Sequence, residues 1–393
     1  MASTSNVNSG FEQFGLKLYQ DIVKTNPNGT NDNTFISPVS IALAISMCAA
    51  GARQNTLDQM LKGFGSKSAD ELNHTAQQVM KVILSVANAE LTGLKLANRL
   101  YAQQDYQIRH EYLSCLKQYY STDLKLIDFK KNSEKALNDI NGWVEDQTNH
   151  LIKNLLTLDN VRSDTSLILV NCIYFKGTWQ DRFDEKTVKH ATFTSENGTQ
   201  STIPLMFQTR IYAYNDNSTL QAQIAHIPYK SSNNNNFVLT IVLPKQGVRL
   251  TDIEKKLEDG QLLKQALTNE SRQELNLYLP KFKMECLFDL NLTMKNLGMT
   301  DAFGIGVADF SGIEPTGELV ISKVIHKAFI NVNEYGSEAA AATAVLVVFG
   351  SSPSSHRSKA VEFKCDRPFL FMIREAKHDI TLFAGRYAKP PES

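Results

Sequence analysis

The side chains that most often carry chemistry are not arranged here for any common reaction. The chain of 393 residues holds eight histidines and five cysteines. No two histidines stand at metal-ligand spacing, and no H-E-x-x-H motif occurs. Cys48, Cys115, Cys172, Cys286 and Cys365 are scattered and odd in number, with no C-x-x-C pair. That excludes a zinc finger or thioredoxin motif and argues against a disulfide scaffold. There is no G-x-S-x-G nucleophile elbow and no P-loop, and Gly304-Ile-Gly306 lacks the third glycine of a dinucleotide fingerprint. Neither an enzyme nor a bound cofactor or metal is expected.

What stands out instead is a segment suited to a physical change, Glu334 to Lys359. It follows a strand ending near Val332. The alanines Ala339 to Ala342 favour helix, the valines after them favour strand, and the Ser-rich tail from Gly350 to Lys359 reads as loop. A loop of about 26 residues without settled structure is functional or misassigned. As a strand, the segment sets Ser337, Ala339, Ala341, Thr343, Val345 and Val347 on one face and Glu338 on the other. The first set is small or apolar and uncharged, so it can enter a packed sheet without overpacking or burying charge. That describes a switch by sheet insertion. The plain alternative is an Ala-rich surface helix.

The elements that would position this segment divide into two halves. Phe11, Phe14, Leu18 and Ile22 mark one face of a first helix. Ser37 and Pro38 open a second, apolar nearly all round from Val39 to Ala50. Thr56-Leu-Asp-Gln59 has capping-box spacing and opens a third, with Gly63 as its end. Residues 69–89 and 107–120 read as helices, and another runs from Asn132-Ser133 through Trp143 towards Leu155. Beyond residue 160 the pattern changes to strands, at 166–175, 237–243, 274–280, 319–332, 369–373 and 381–384. Asn233 to Asn236 reads as a hairpin turn. Helices first and strands later predict an α+β fold with large antiparallel sheets.

Composition is that of an ordinary globular protein. Hydrophobic residues make up 42% and charged ones 21%, with 41 basic and 41 acidic side chains balancing to zero. No basic face advertises nucleic acid or heparin. The N-terminus is polar, and no 18-residue apolar run exists, so no membrane partner is expected. The expectation is one soluble, reduced domain over residues 1–393, monomeric and cytoplasmic, with leaderless secretion left open.

At this point the sequence resembles the serpins, the serine-protease-inhibitor family, from about Phe11 to Pro390. The resemblance rests on motifs in family order: Asn33-Thr-Phe-Ile-Ser-Pro-Val-Ser-Ile41, Val170-Asn-Cys-Ile-Tyr-Phe-Lys-Gly-Thr-Trp179, Ile227-Pro-Tyr229, Leu279-Pro-Lys-Phe282, Ala308-Asp-Phe-Ser-Gly312, Val332-Asn-Glu-Tyr-Gly-Ser-Glu-Ala and Arg367-Pro-Phe-Leu370. It implies three β-sheets, eight or nine helices and an exposed reactive-centre loop, here about 334–359. A target protease would cleave that loop, form an acyl-enzyme and be trapped when the loop inserts into the main sheet. The protein would then be a suicide substrate, drawing on a kinetically held metastable state.

The resemblance also assigns residues. Glu334, Gly336, Ser337, Ala339, Ala340, Ala341, Ala342 and Thr343 match the loop hinge, with Tyr335 where the family usually has Glu, Lys or Arg. Lys281 matches the partner of Glu334, and Trp179 lies at the mouth of the sheet. Ser37, Ser40, Asn171 and His326 match the polar cluster beneath the sheet that controls its opening. The family's spacing puts the scissile bond at Gly350-Ser351. Phe349 would fill a chymotrypsin-like pocket if the bond were Phe349-Gly350, and Arg357 is a trypsin-like bait further on. Phe349 ranks first, Gly350 second and Arg357 third. The implied partner is a serine protease of the chymotrypsin or cathepsin G type, held covalently. A papain-like cysteine protease and a non-inhibitory carrier, chaperone or storage role stay as alternatives.

Overall fold

A computed structural model describes residues 9–27, 29–86, 92–230, 236–258, 260–268, 270–337 and 360–391. The first helix, Ser9–Thr25, buries Phe11, Phe14, Leu18 and Ile22, and Phe14 stacks on Phe64 of a neighbouring helix at 4.4 Å. The helix Pro38–Gly51 begins as its sequence requires. Ser37 caps it by accepting from the Ser40 N–H, and Pro38 fills the first turn. All its residues but Ala50 are buried, because it runs beneath both sheets.

The third helix, Gln54–Phe64, departs from the capping-box reading. It starts two residues before Thr56 and ends at Gly65, which takes a left-handed φ of 64°. Thr56 Oγ1 accepts from the Asp309 N–H at 3.0 Å, and Gln59 Oε1 from the Asp301 N–H at 2.9 Å. Both side chains thus hold a distant loop instead of the helix start. The helix Ser133–Gln147 stops short of Leu155. Asn149 and His150 adopt left-handed φ values of 50° and 61°, which end it. Ile152, Leu155 and Leu156 are nonetheless buried, packed with Ala136, Ile140 and Val144 of that helix against Val170, Cys172, Ile325 and Phe329.

Among the described residues, nine α-helices surround two hydrogen-bonded sheets. The smaller sheet runs in the order Phe282–Asp289, Ile321–Asn333, Gly336–Ser337, Leu167–Thr178, Thr92–Gln103 and Leu124–Ile127. The larger has nine strands. Its longest, Gln200–Asn217, pairs with Lys189–Thr194 through its first residues, with Ala222–Pro228 through its last, and with Ser271–Pro280 between. One long strand therefore joins what would otherwise be separate sheets into one network, where three had been expected. The expected strands at 369–373 and 381–384 pair antiparallel as the hairpin Phe369–Glu375 and Ile380–Tyr387. The strand Thr92–Gln103, which pairs along most of its length with Leu167–Thr178, lies in the half whose sequence reads as helical. The Asn233–Asn236 turn falls largely outside the described residues, but its flanking strands pair antiparallel.

A single apolar cluster extends from Phe11 to Tyr387. Leu239 lies fully buried in it, on a strand paired on both sides. Leu239→Ala should cost about 2–5 kcal/mol of stability, read as a lower denaturant midpoint.

Candidate functional site

The centre of the smaller sheet is a pair of parallel strands. Leu167–Thr178 and Ile321–Asn333 pair side by side from Leu167 and Ile321 to Tyr174 and Phe329. Above Phe329 they part, and Gly336–Ser337 sits between them, antiparallel to both. Ser337 lies opposite Val332 on one side and Gly177 on the other, and Gly336 lies opposite Asn333 and Thr178. The first residues of the expected loop are thus already a rung of the sheet. Ala339 to Thr343, and Phe349, Gly350, Ser351 and Arg357, lie outside the described residues.

Gly336 is demanded by this position. Its φ is +152°, and a Cβ there would lie 1.8 Å from the Gly177 carbonyl oxygen. Ser337 is fully buried, and its hydroxyl meets the Tyr229 hydroxyl at 2.7 Å. Tyr229 stacks face to face on Trp179 at 4.4 Å. The Trp179 indole donates to the Asn333 carbonyl at 2.8 Å, and its backbone N–H to the Tyr335 carbonyl at 2.9 Å. Lys281 Nζ stands 2.7 Å from Glu334 Oε1, with the carboxylate buried and the lysine partly exposed. The expected Lys281–Glu334 pair and Trp179 therefore meet at one point, the mouth between the two strands.

Six residues down the strand from Val332, at His326, lies the polar cluster. The Ser37 N–H donates to His326 Nε2 at 3.1 Å, so that nitrogen carries no proton and Nδ1 does. Nδ1 donates to Asn171 Oδ1. The Asn171 amide then donates to Ser40 Oγ and to Asn98 Oδ1, each at 2.5 Å. Asn98 returns a bond to the Ser40 carbonyl at 3.1 Å, and Ser37 Oγ donates to the Leu382 carbonyl at 2.6 Å. His326 and Asn171 face each other across the parallel seam, so their bond spans the two strands that would have to part. All five side chains are buried. Asn98 was not singled out from the sequence because its strand was not recognised. Tyr229 was quoted only as part of a motif.

Burial pushes His326 down to about 3, and the ring is neutral. A proton on Nε2 would face the Ser37 N–H, donor against donor.

The smaller sheet is thus parted at one end by the start of the segment that follows it, above a buried polar seam. Comparison with known proteins shows the family to which this arrangement belongs. Residues 9–390 match the family described as serpin (serine protease inhibitor), and the chain belongs to that family. Human Serpin B3 is 37% identical over 99% of this chain and 100% of its own length. Human leukocyte elastase inhibitor is 35% identical over 98% and 99%. The crystal structure of Serpin48 from the insect Tenebrio molitor matches with a TM-score of 0.85 at 28% identity, covering all of both chains. By its family the chain is a protease inhibitor and not a catalyst. Among the described residues no helix is long and apolar enough to cross a membrane, and no group of three or more His, Cys, Asp and Glu side chains is placed to hold a metal.

Two outcomes are expected from this geometry. Gly336→Ala should lose at least about 2 kcal/mol, seen as a lower melting temperature, because backbone has to move to admit the methyl group. Stability should also fall as pH drops from 6.5 towards 3. The unfolded His326 takes up a proton in that window that the folded one refuses, so the contribution is complete above 6.5 and shrinks with acid. His226, pushed down to about 4 by burial and then by Arg374, adds to the same slope. Denaturant midpoints across the window should decline, and His326→Gln should flatten the decline without abolishing it.

Proposed function

We propose that this chain inhibits a serine protease as a suicide substrate. The protease serine attacks a carbonyl in segment 334–359, forms an ester to it and releases the amine of the next residue. The cleaved segment then adds to the smaller sheet as a strand between Leu167–Thr178 and Ile321–Asn333, carrying the attached protease with it. The reading treats residues 1–393 as one monomeric domain, in keeping with the apolar cluster that spans Phe11 to Tyr387.

The Gly336–Ser337 rung carries this reading. Continued in the same register, Ala339 would lie opposite Ile330 and Phe175, and Ala341 opposite Ala328 and Ile173. Thr343 would arrive between His326 and Asn171, where its hydroxyl can replace the bond that opening breaks. The two outer strands keep one offset throughout. Val324 is opposite Leu169 in the closed part, and Val332 and Gly177 share Ser337 in the open part. The sheet therefore has to part sideways but not slide. Insertion exchanges one parallel ladder for two antiparallel ones, which are slightly stronger per residue. The stripe of small residues fits that space.

Phe349 suits the hydrophobic pocket of a chymotrypsin-like enzyme, cathepsin G included, and places the bond at Phe349-Gly350. The name of the leukocyte elastase inhibitor, a relative at 35% identity, is in keeping with a serine protease as partner. Incubation with chymotrypsin, cathepsin G and trypsin, followed by denaturing electrophoresis and intact mass, tests the proposal. A covalent band and a released peptide starting at Gly350 are expected. A start at Ser351 or Ser358 would move the bond to Gly350 or Arg357. Clean cleavage with no covalent band, for serine and papain-like cysteine proteases alike, would favour a non-inhibitory carrier, chaperone or storage role.

Ala341→Arg should turn the inhibitor into a substrate, since a charged side chain cannot enter opposite Ala328 and Ile173. A stable protease complex formed by that variant would count against insertion. Cleavage of the wild-type loop should raise the melting temperature, and an unchanged value would remove the metastable state.

A further inference from the structure

We propose that Tyr335 is a positioning residue that anchors the turn from which the loop grows into the sheet, an inference that rests on the insertion reading above. Asn333 and Gly336 are cross-strand partners, so Glu334 and Tyr335 form a two-residue hairpin turn. A hairpin turn sets the register of the strand that leaves it. This turn is tied through its backbone, with the Phe183 N–H on the Glu334 carbonyl at 3.1 Å, the Trp179 N–H on the Tyr335 carbonyl at 2.9 Å, and the Tyr335 N–H on Asn333 Oδ1 at 2.9 Å.

The Tyr335 side chain adds a tie of its own to the 182–185 segment. Its hydroxyl donates to Glu185 Oε1, and its ring lies under the Arg182 guanidinium, 5.6 Å from the ring centre. The adjacent carboxylate raises the phenol's pKa, so the hydroxyl stays a donor at all ordinary pH values. The charged residue types usual at this point in the serpin resemblance would each meet one like charge here. A glutamate would pair with Arg182 but be repelled by Glu185, and a lysine or arginine the reverse, so neither charge suits both neighbours. A neutral ring with a donor at its tip satisfies both neighbours.

None of these contacts involves the edge along which the rung would lengthen. The turn can therefore stay in place while residues after Ser337 add below it, which removes the ordering of the first rung from the insertion step. The faster the insertion, the larger the share of cleavage events that end in a trapped protease before the ester hydrolyses.

Tyr335→Phe keeps the ring and loses the hydroxyl. It should raise the number of inhibitor molecules consumed per protease trapped by about threefold. The rate constant for first encounter with the protease and the melting temperature of the uncleaved protein should stay unchanged. Glu185→Ala should act alike, and the double variant should be no worse than either single one. Unchanged or improved trapping in Tyr335→Phe would overturn the anchor; improvement would mean that the contact restrains insertion.

A second readout does not need trapping. After loop cleavage by a metalloprotease, which forms no acyl-enzyme to be trapped, the change in tryptophan fluorescence and the gain in melting temperature time the insertion itself. Slower change in Tyr335→Phe supports the anchor, and equal rates refute it. A wild type that inserts but traps no protease would sink only the inhibitory reading. One that shows no gain after cleavage would sink the insertion reading, and the anchor with it.

Discussion

The structure depends on one seam. Leu167–Thr178 and Ile321–Asn333 run parallel in the middle of a sheet whose other long strand pairs are antiparallel, and only the Gly336–Ser337 rung parts them. A parallel pair in a buried sheet is stable enough to hold but leaves stronger pairing unused on both sides. The polar network fits that condition. His326 and Asn171 bond across the seam, and Ser37 and Ser40, at the start of a buried helix, hold them from below. Each donor in that chain has an acceptor, so the closed sheet pays no penalty for burying it.

The two ends of the seam do different work. At the mouth, aromatic stacking of Trp179 on Tyr229 and the Lys281–Glu334 pair build a rigid frame around the turn. Further down, the bond between His326 and Asn171 ties the two parallel strands together across the seam. The other face of the same strands is covered by Ser133–Gln147 and the chain after it, with Asn149 on the Tyr174 hydroxyl at 2.6 Å and the Lys153 carbonyl on Lys327 Nζ at 2.8 Å. Those two contacts reach one strand on each side of the seam, so this cover ties both strands together from the other face.

Much of this was legible before any coordinates. Ser37 and Pro38 predicted a helix start because capping is local, and the uninterrupted apolar run after Ser166 predicted a strand covered on both faces. The alternation from Ser337 onward places small residues on one face, and of these the structure describes Ser337, which is buried. Thr92–Gln103 was missed because its pattern of Leu, Lys, Ala, Asn and Arg is weak by either period, and the flanking strands decide its state. With it went Asn98, a central member of the network. Thr56 and Gln59 look like a cap and serve instead as acceptors for a loop some 240 residues away.

By itself the sequence determined the residue classes: the small uncharged face after Gly336, the helix caps, the buried strands, and motifs that identify the family. These are local properties, set by side-chain size, charge and backbone preference within a few residues. Only the tertiary structure decided the register. It alone sets His326 against Asn171, Ser337 against Val332 and Gly177, and Tyr335 beside Glu185. Apart from the short hairpin that sets Ser337 against Val332, these pairings join positions more than a hundred residues apart, and they follow from packing of the whole sheet, which no local pattern encodes.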